Sequence, residues 1–119
     1  MGRTPALKGT SMLNLHKLQV QQGANELFAL VGELPQPPVG HQALGEQLRR
    51  AATEVRSSIA RAATQPDSPQ HYAAARGSAV QCAAHIDCYR FLRVIEPRQY
   101  AAAMRLLSPL VASLTKLAR

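Results

Sequence analysis

Apolar residues return at helical spacing along four stretches of the chain. Val20, Ala24, Leu27, Val31 and Leu34 are separated by alternating steps of four and three, which draws one stripe along a helix from about residue 14 to 33. "LPQPPVG" closes it, because Pro35, Pro37 and Pro38 remove backbone donors and hold the path extended. Leu44, Leu48, Ala51 or Ala52, Val55, Ile59 and Ala62 repeat the pattern over residues 41–63, and "TQPDSP" ends that second helix. Ser68 offers an N-cap for the next, with Pro69 at its first helical position.

The third stretch, residues 69–95, carries two seams. Tyr72, Ala75, Ala79, Cys82, Ile86 and Tyr89 form one. Ala73, Gly77, Val80, Ala84, Cys88 and Phe91 form another, expected about a third of a turn away. A helix apolar on two sides has to cover both, and a four-helix bundle gives a helix one buried side. The second seam, represented by Gly77, Val80, Ala84 and Cys88, is therefore expected to meet a neighbouring subunit; the alternative is a helix deeply central within one chain. If a solved structure showed the flank around Val80 and Ala84 bare to water in a solitary molecule, that expectation would fail.

"EPRQY" restarts the chain for a fourth helix over residues 97–118. Its stripe is Tyr100, Ala103, Leu107, Leu110, Leu114 and Leu117, and Pro109 is expected to kink it or split it after Leu107. Residues 1–12, "MGRTPALKGTSM", have no periodicity and read as a flexible tail. Four amphipathic helices with short links predict an all-α, antiparallel up-down-up-down four-helix bundle over residues 13–119.

Composition agrees with one helical domain. Of 119 residues 46% are apolar but only five are aromatic, so the core has to be aliphatic and rich in alanine. No stretch is long and apolar enough to span a bilayer, and no secretory leader is evident, so the expected location is cytoplasmic. Cys82 and Cys88 stand about 9 Å apart along one helix, beyond the reach of a disulfide within the chain.

Catalytic patterns are missing. No phosphate-binding glycine loop, nucleophile elbow or paired Glu-x-x-His motif occurs, so neither an enzyme nor a cofactor is expected. "CAAHIDC" sets Cys82, His85 and Cys88 at three-residue steps. On a helix these fan over roughly 120°, too wide for one ion, so no metal is expected; a metal-dependent enzyme would rest on these three residues alone. His16, His41 and His71 stand near predicted helix starts, where a solvated polar residue is unremarkable.

Charge changes the picture more. Fourteen Lys and Arg against seven Asp and Glu give +7, which raises the expectation of RNA, DNA or another polyanion as partner. Glu46 is placed to pair with Arg49 or Arg50, Glu54 with Arg50, and Asp87 with Arg90. Arg56, Arg61, Arg76, Arg98 and Arg105 have no acidic residue three or four positions away. Arg49, Arg50, Arg56, Arg61 and Arg76 are the candidate nucleic-acid contacts, since a guanidinium grips phosphate with a two-pronged fork. With no aromatic residues interleaved among them, such binding is expected to be electrostatic and sequence-tolerant. The alternative is a protein-interaction or structural module with no nucleic-acid role.

Three segments resemble the four-helix-bundle proteins encoded in intervening sequences of 23S ribosomal RNA genes. "HKLQVQQGANELFALVGELP" is similar to that family's opening helix through Leu18, Val20, Gln22, Ala24, Glu26, Leu27 and Pro35. "LGEQLRRAATEVRSSIARAA" resembles its Gln-Leu-Arg-Arg-Ala-Ala motif and the Ser-Ile-Pro-Ser-Asn-Ile-Ala-Glu-Gly run that follows. Gln47, Leu48, Arg49, Arg50, Ala51, Ala52, Ser57, Ile59 and Ala60 match. Ala75, Arg76, Gly77 and Ser78 match an Ala-Arg-Gly-Ser signature. Arg56, Ser58, Arg61 and Ala62 depart from the family's proline, asparagine, glutamate and glycine, while Gln81 and Ala83 replace two glutamates, making this chain more basic. The resemblance implies a bundle that assembles into a pentameric ring. It also implies a link to accessory proteins of diversity-generating retroelements, which bind nucleic acid and a reverse transcriptase.

Overall fold

In the computed structural model, which describes residues 4–119 with side chains from Met12 onward, the chain forms four helices. These are α1 (Thr4–Glu33), α2 (Gln42–Thr64), α3 (Ser68–Phe91) and α4 (Pro97–Leu117). There is no strand among the described residues. Each helix packs on its neighbours in chain order and α1 closes on α4, whereas among the described residues the backbones of α1 and α3, and of α2 and α4, do not come together. The four surround one core.

The stripes read from the sequence are the core. Val20, Ala24, Leu27 and Val31 of α1 are buried, as are Leu48, Ala51, Ala52, Val55, Ile59 and Ala62 of α2. The first α3 seam is buried at all six positions, from Tyr72 to Tyr89, and α4 contributes Ala103, Leu107, Leu110, Leu114 and Leu117. Alanine at several of these positions lets the helices approach closely. So do two glycines: a Cβ on Gly23 would stand 3.2 Å from Leu110 Cδ1, and one on Gly45 would stand 3.1 Å from Pro37 Cδ. Pro37 is itself buried, so the proline-rich link is pressed against the start of α2.

Boundaries depart from the expected ones in three places. Residues 1–3 of the expected tail lie outside the described residues, and from Thr4 the backbone is already helical rather than starting near Asn14. Pro5 falls in the first turn, where its missing N–H costs nothing, and Ala6, Leu7 and Lys8 favour a helix. The first buried side chain described on α1 is Val20, leaving Met12, Leu13, Leu15 and Leu18 exposed on the half-helix before it.

Further along the chain α3 stops at Phe91, short of residue 95. Arg93 adopts a left-handed backbone (φ 59), its N–H donates to the Arg90 carbonyl at 3.0 Å, and the Val94 N–H donates to the Tyr89 carbonyl at 2.9 Å. That pair of bonds is a Schellman stop, usually built on glycine, and an arginine there bears about 1 kcal/mol of strain. Asp67, ahead of α3, is also left-handed (φ 52). It occupies the N-cap position expected for Ser68, whose hydroxyl instead donates to the Ala62 carbonyl at 2.9 Å and ties α3 to the end of α2.

Pro109 does not split α4, which runs unbroken from Pro97 to Leu117. A mid-helix proline costs about 3 kcal/mol. Four buried leucines flank it, and each contributes about 1.5–3 kcal/mol on burial, so packing outweighs the lost bond. Pro109 itself is exposed.

Candidate functional site

Helical periodicity decides where the arginines of α2 can point. Arg49 and Arg56 are seven residues apart and fall within about 20° of each other; Arg50 and Arg61 do likewise, about a third of a turn further round. The first pair lies on the flank shared with α1, where the Arg56 Nε–H donates to Asn25 Oδ1 at 3.0 Å and its guanidinium sits 4.5 Å from the centre of the Phe28 ring. The second pair borders α3. There Arg61 donates to the buried Ser58 hydroxyl at 3.0 Å and stands 3.6 Å from Glu54. Arg76 is half-buried on the α3 flank that faces α4, three turns before Asp87 on the same side. The five arginines therefore occupy three flanks of the single chain rather than one continuous strip.

Their partners differ from those suggested by spacing. Among the described residues only Arg61–Glu54 and Arg98–Glu96 come within salt-bridge distance. Arg56 and Arg61, which have no carboxylate three or four positions away, are engaged: one by an amide and a ring, the other by a carboxylate seven positions back. Arg49 and Arg50, placed to pair with Glu46 and Glu54, make no such contact and are exposed. Arg50 lines a shallow groove of about 400 Å³ with Gln47, Glu54, Gln81 and His85. Asp87 does not pair with Arg90. It accepts a hydrogen bond from the Tyr100 hydroxyl at 2.7 Å, while the Arg90 guanidinium lies 4.5 Å from the centre of the Tyr100 ring.

The second seam of α3 turns out to lie nearly opposite the first, not a third of a turn from it, and on the single chain it faces outward. Val80 is 52% exposed and Phe91 is 91% exposed; Gly77, Ala84 and Cys88 are exposed as well. Nothing lies within 4 Å of a Cβ built on Gly77, so in an isolated chain this position is open space.

Cys82, His85 and Cys88 do not converge. Cys82 is sealed in the core, His85 is half-buried beside α2, and Cys88 is on the outer face. Among the described residues no group of three or more His, Cys, Asp or Glu is arranged to hold a metal ion. Burial pushes the Cys82 thiol up from 9 to about 12. At pH 8 a maleimide is expected to leave Cys82 unlabelled in the native protein and to label both thiols once the protein is denatured; mass spectrometry reads both. Desolvation also raises Tyr72 and Tyr89, the latter partly offset by the Arg49 guanidinium. Because these groups give up protons more readily when unfolded, their contribution to stability is full below about pH 9 and falls as pH rises towards 12.

His16 sits inside α1 rather than at a helix start, and its buried Nδ1 has no partner among the described residues. His41 is exposed at the N-cap of α2, and His71 is half-buried in the first turn of α3. No helix among the described residues is long and apolar enough to cross a membrane. No protein-family model matches the chain, and comparison with curated proteins finds no match either.

Proposed function

We propose that this protein is a non-enzymatic, cytoplasmic helical scaffold that assembles with copies of itself, most simply as a pentameric ring, and binds RNA or another nucleic acid through its basic surface. The observation that carries this reading is the outward seam of α3, where Gly77, Val80, Ala84 and Cys88 form an exposed face of small and apolar side chains. Contacting helices joined by short links support the antiparallel up-down-up-down course: α2 and α3 are joined by Gln65–Asp67, and α3 and α4 by Leu92–Glu96. Cyclic closure brings two different faces of each subunit together, and the exposed Leu15 and Leu18 of α1, within about 60° of each other round the helix, supply a second apolar surface. The resemblance to proteins encoded in 23S rRNA intervening sequences favours the same assembly, and through it a nucleic-acid enzyme as a further partner.

Five chains of +7 carry about +35, enough to gather polyanions from a distance. Arg49 and Arg50, exposed and without a carboxylate partner among the described residues, are the strongest contacts of the candidate set. Arg76 is half-buried, while Arg56 and Arg61 have to share their guanidinium groups with partners inside the chain. In a mobility-shift titration, RNA affinity should fall more than tenfold between about 50 and 200 mM salt. RNA that fails to bind even at low salt removes the nucleic-acid role.

The internal partners of Arg56 and Arg61 favour a second reading, a protein-binding module in which these arginines hold helices together. It predicts that Arg49→Ala and Arg50→Ala leave partner binding intact.

A further inference from the structure

We propose that the corner between the end of α3 and the start of α4 is a stacking site for an unpaired base of a single-stranded nucleic acid. The corner is an open cleft of about 740 Å³ lined by Asp87, Arg90, Phe91, Arg93 and Tyr100. This rests on the nucleic-acid reading above but places the contact on residues outside the α2 arginine set.

Three features point to that ligand. First, Phe91 is 91% exposed, more than any other aromatic side chain among the described residues: Tyr72 and Tyr89 are buried, Tyr100 is half-buried beneath Arg90, and Phe28, 43% exposed, carries Arg56 over one face of its ring. A bare ring at a helix end offers a face on which a base can stack without regard to sequence. Second, the Arg90 guanidinium lies over the Tyr100 ring, 4.5 Å from its centre, and that ring is itself fixed by the hydrogen bond from its hydroxyl to Asp87. The outer face of that guanidinium is a second platform of the kind that RNA-binding proteins use for splayed bases. Third, Arg93 keeps a long cationic side chain at a left-handed position suited to glycine, and this exposed arginine stands two residues from Phe91. Local strain retained where a glycine would relieve it is a pointer to function.

The charges suit a phosphate strand. Neither Arg90 nor Arg93 has a carboxylate within salt-bridge distance among the described residues, while Glu96 is engaged by Arg98 at 3.1 Å and Asp87 by Tyr100. The combination was invisible along the chain because Tyr100 reaches the corner from another helix. A duplex keeps its bases paired and stacked, so the corner discriminates single strands from double strands.

The test is fluorescence anisotropy at low salt with a labelled single-stranded RNA octamer and a duplex of equal length. Wild type is compared with Phe91→Ala, Phe91→Tyr, Arg93→Gly and an Arg49→Ala/Arg50→Ala double variant. The expected result is that Phe91→Ala weakens the single strand about tenfold and the duplex less than twofold. Phe91→Tyr should restore binding, and Arg93→Gly should weaken the single strand while leaving the fold intact by circular dichroism. Single-strand binding that Phe91→Ala leaves unchanged overturns the corner site while the wider nucleic-acid reading stands. Loss of binding in the double variant alone also overturns the corner, and absence of binding to either RNA by wild type overturns both. Phe91 continues the outward seam by spacing, so light scattering is run on the same samples. A fall in mass on Phe91→Ala overturns the site by assigning the ring to subunit contact, whereas an unchanged mass supports it.

Discussion

Gly77→Leu is expected to reduce the particle to single chains without loss of helix content. The position is exposed in the interior of α3, and nothing in the chain stands within 4 Å of a side chain added there. An isolated subunit would accommodate leucine and gain about 0.8 kcal/mol of helix propensity over glycine. A neighbouring helix packed on the outward seam would instead meet four extra carbons where it had met none. The substitution thus separates folding from assembly: circular dichroism should be unchanged, while sedimentation should show a smaller species. Val80→Glu, at an exposed position three residues on, should act in the same direction by placing a charge in the apolar contact. Retention of the assembled mass by both variants would exclude this face from the interface.

Leu48→Ala should have the largest effect on stability. Leu48 is fully buried on α2, the helix that packs on both α1 and α3. Truncating it loses the transfer free energy of the removed carbons and leaves a cavity that the alanine-rich neighbours cannot fill, a cost of about 2–5 kcal/mol. Leu48→Met, which conserves volume, should cost under about 1.5 kcal/mol. Urea titrations of the two variants at equal protein concentration provide the comparison. A loss below about 1 kcal/mol for the alanine variant would contradict the packed core at this position.

The helices were legible because periodicity reports a helix's own buried face. Every residue assigned to the first α3 seam is buried, and Leu107, Leu110, Leu114 and Leu117 of α4 follow the same rule. Contacts between helices were not legible, since they depend on rotation and register that no single segment encodes. Arg56 finds Asn25 thirty-one positions away, and Tyr100 takes Asp87 from Arg90 across thirteen. The stop after Phe91 was hidden because its left-handed residue is arginine, not the glycine that ordinarily marks such a turn. Pro109 predicts a kink or a split in α4; it does not split the helix, the leucines around it offsetting its local preference.

The candidate arginines show the same division. Charge and spacing identified guanidinium groups on the surface, but not which of them the fold would occupy. Spacing places Arg49 and Arg50 to pair, yet neither has a carboxylate partner among the described residues; Arg56 and Arg61, unpaired by spacing, are engaged. The corner at Phe91 needed both helices in place before its aromatic and basic residues stood together.

Self-assembly through the outward face of α3 is most directly tested by the mass of the purified protein in solution, measured by sedimentation equilibrium or light scattering at micromolar concentration. Assembly gives a discrete particle several times the 12.9 kDa chain, and about five times for the pentamer. A single species at 12.9 kDa, with Val80 and Ala84 left facing water, would contradict both the ring and the multivalent charge built on it.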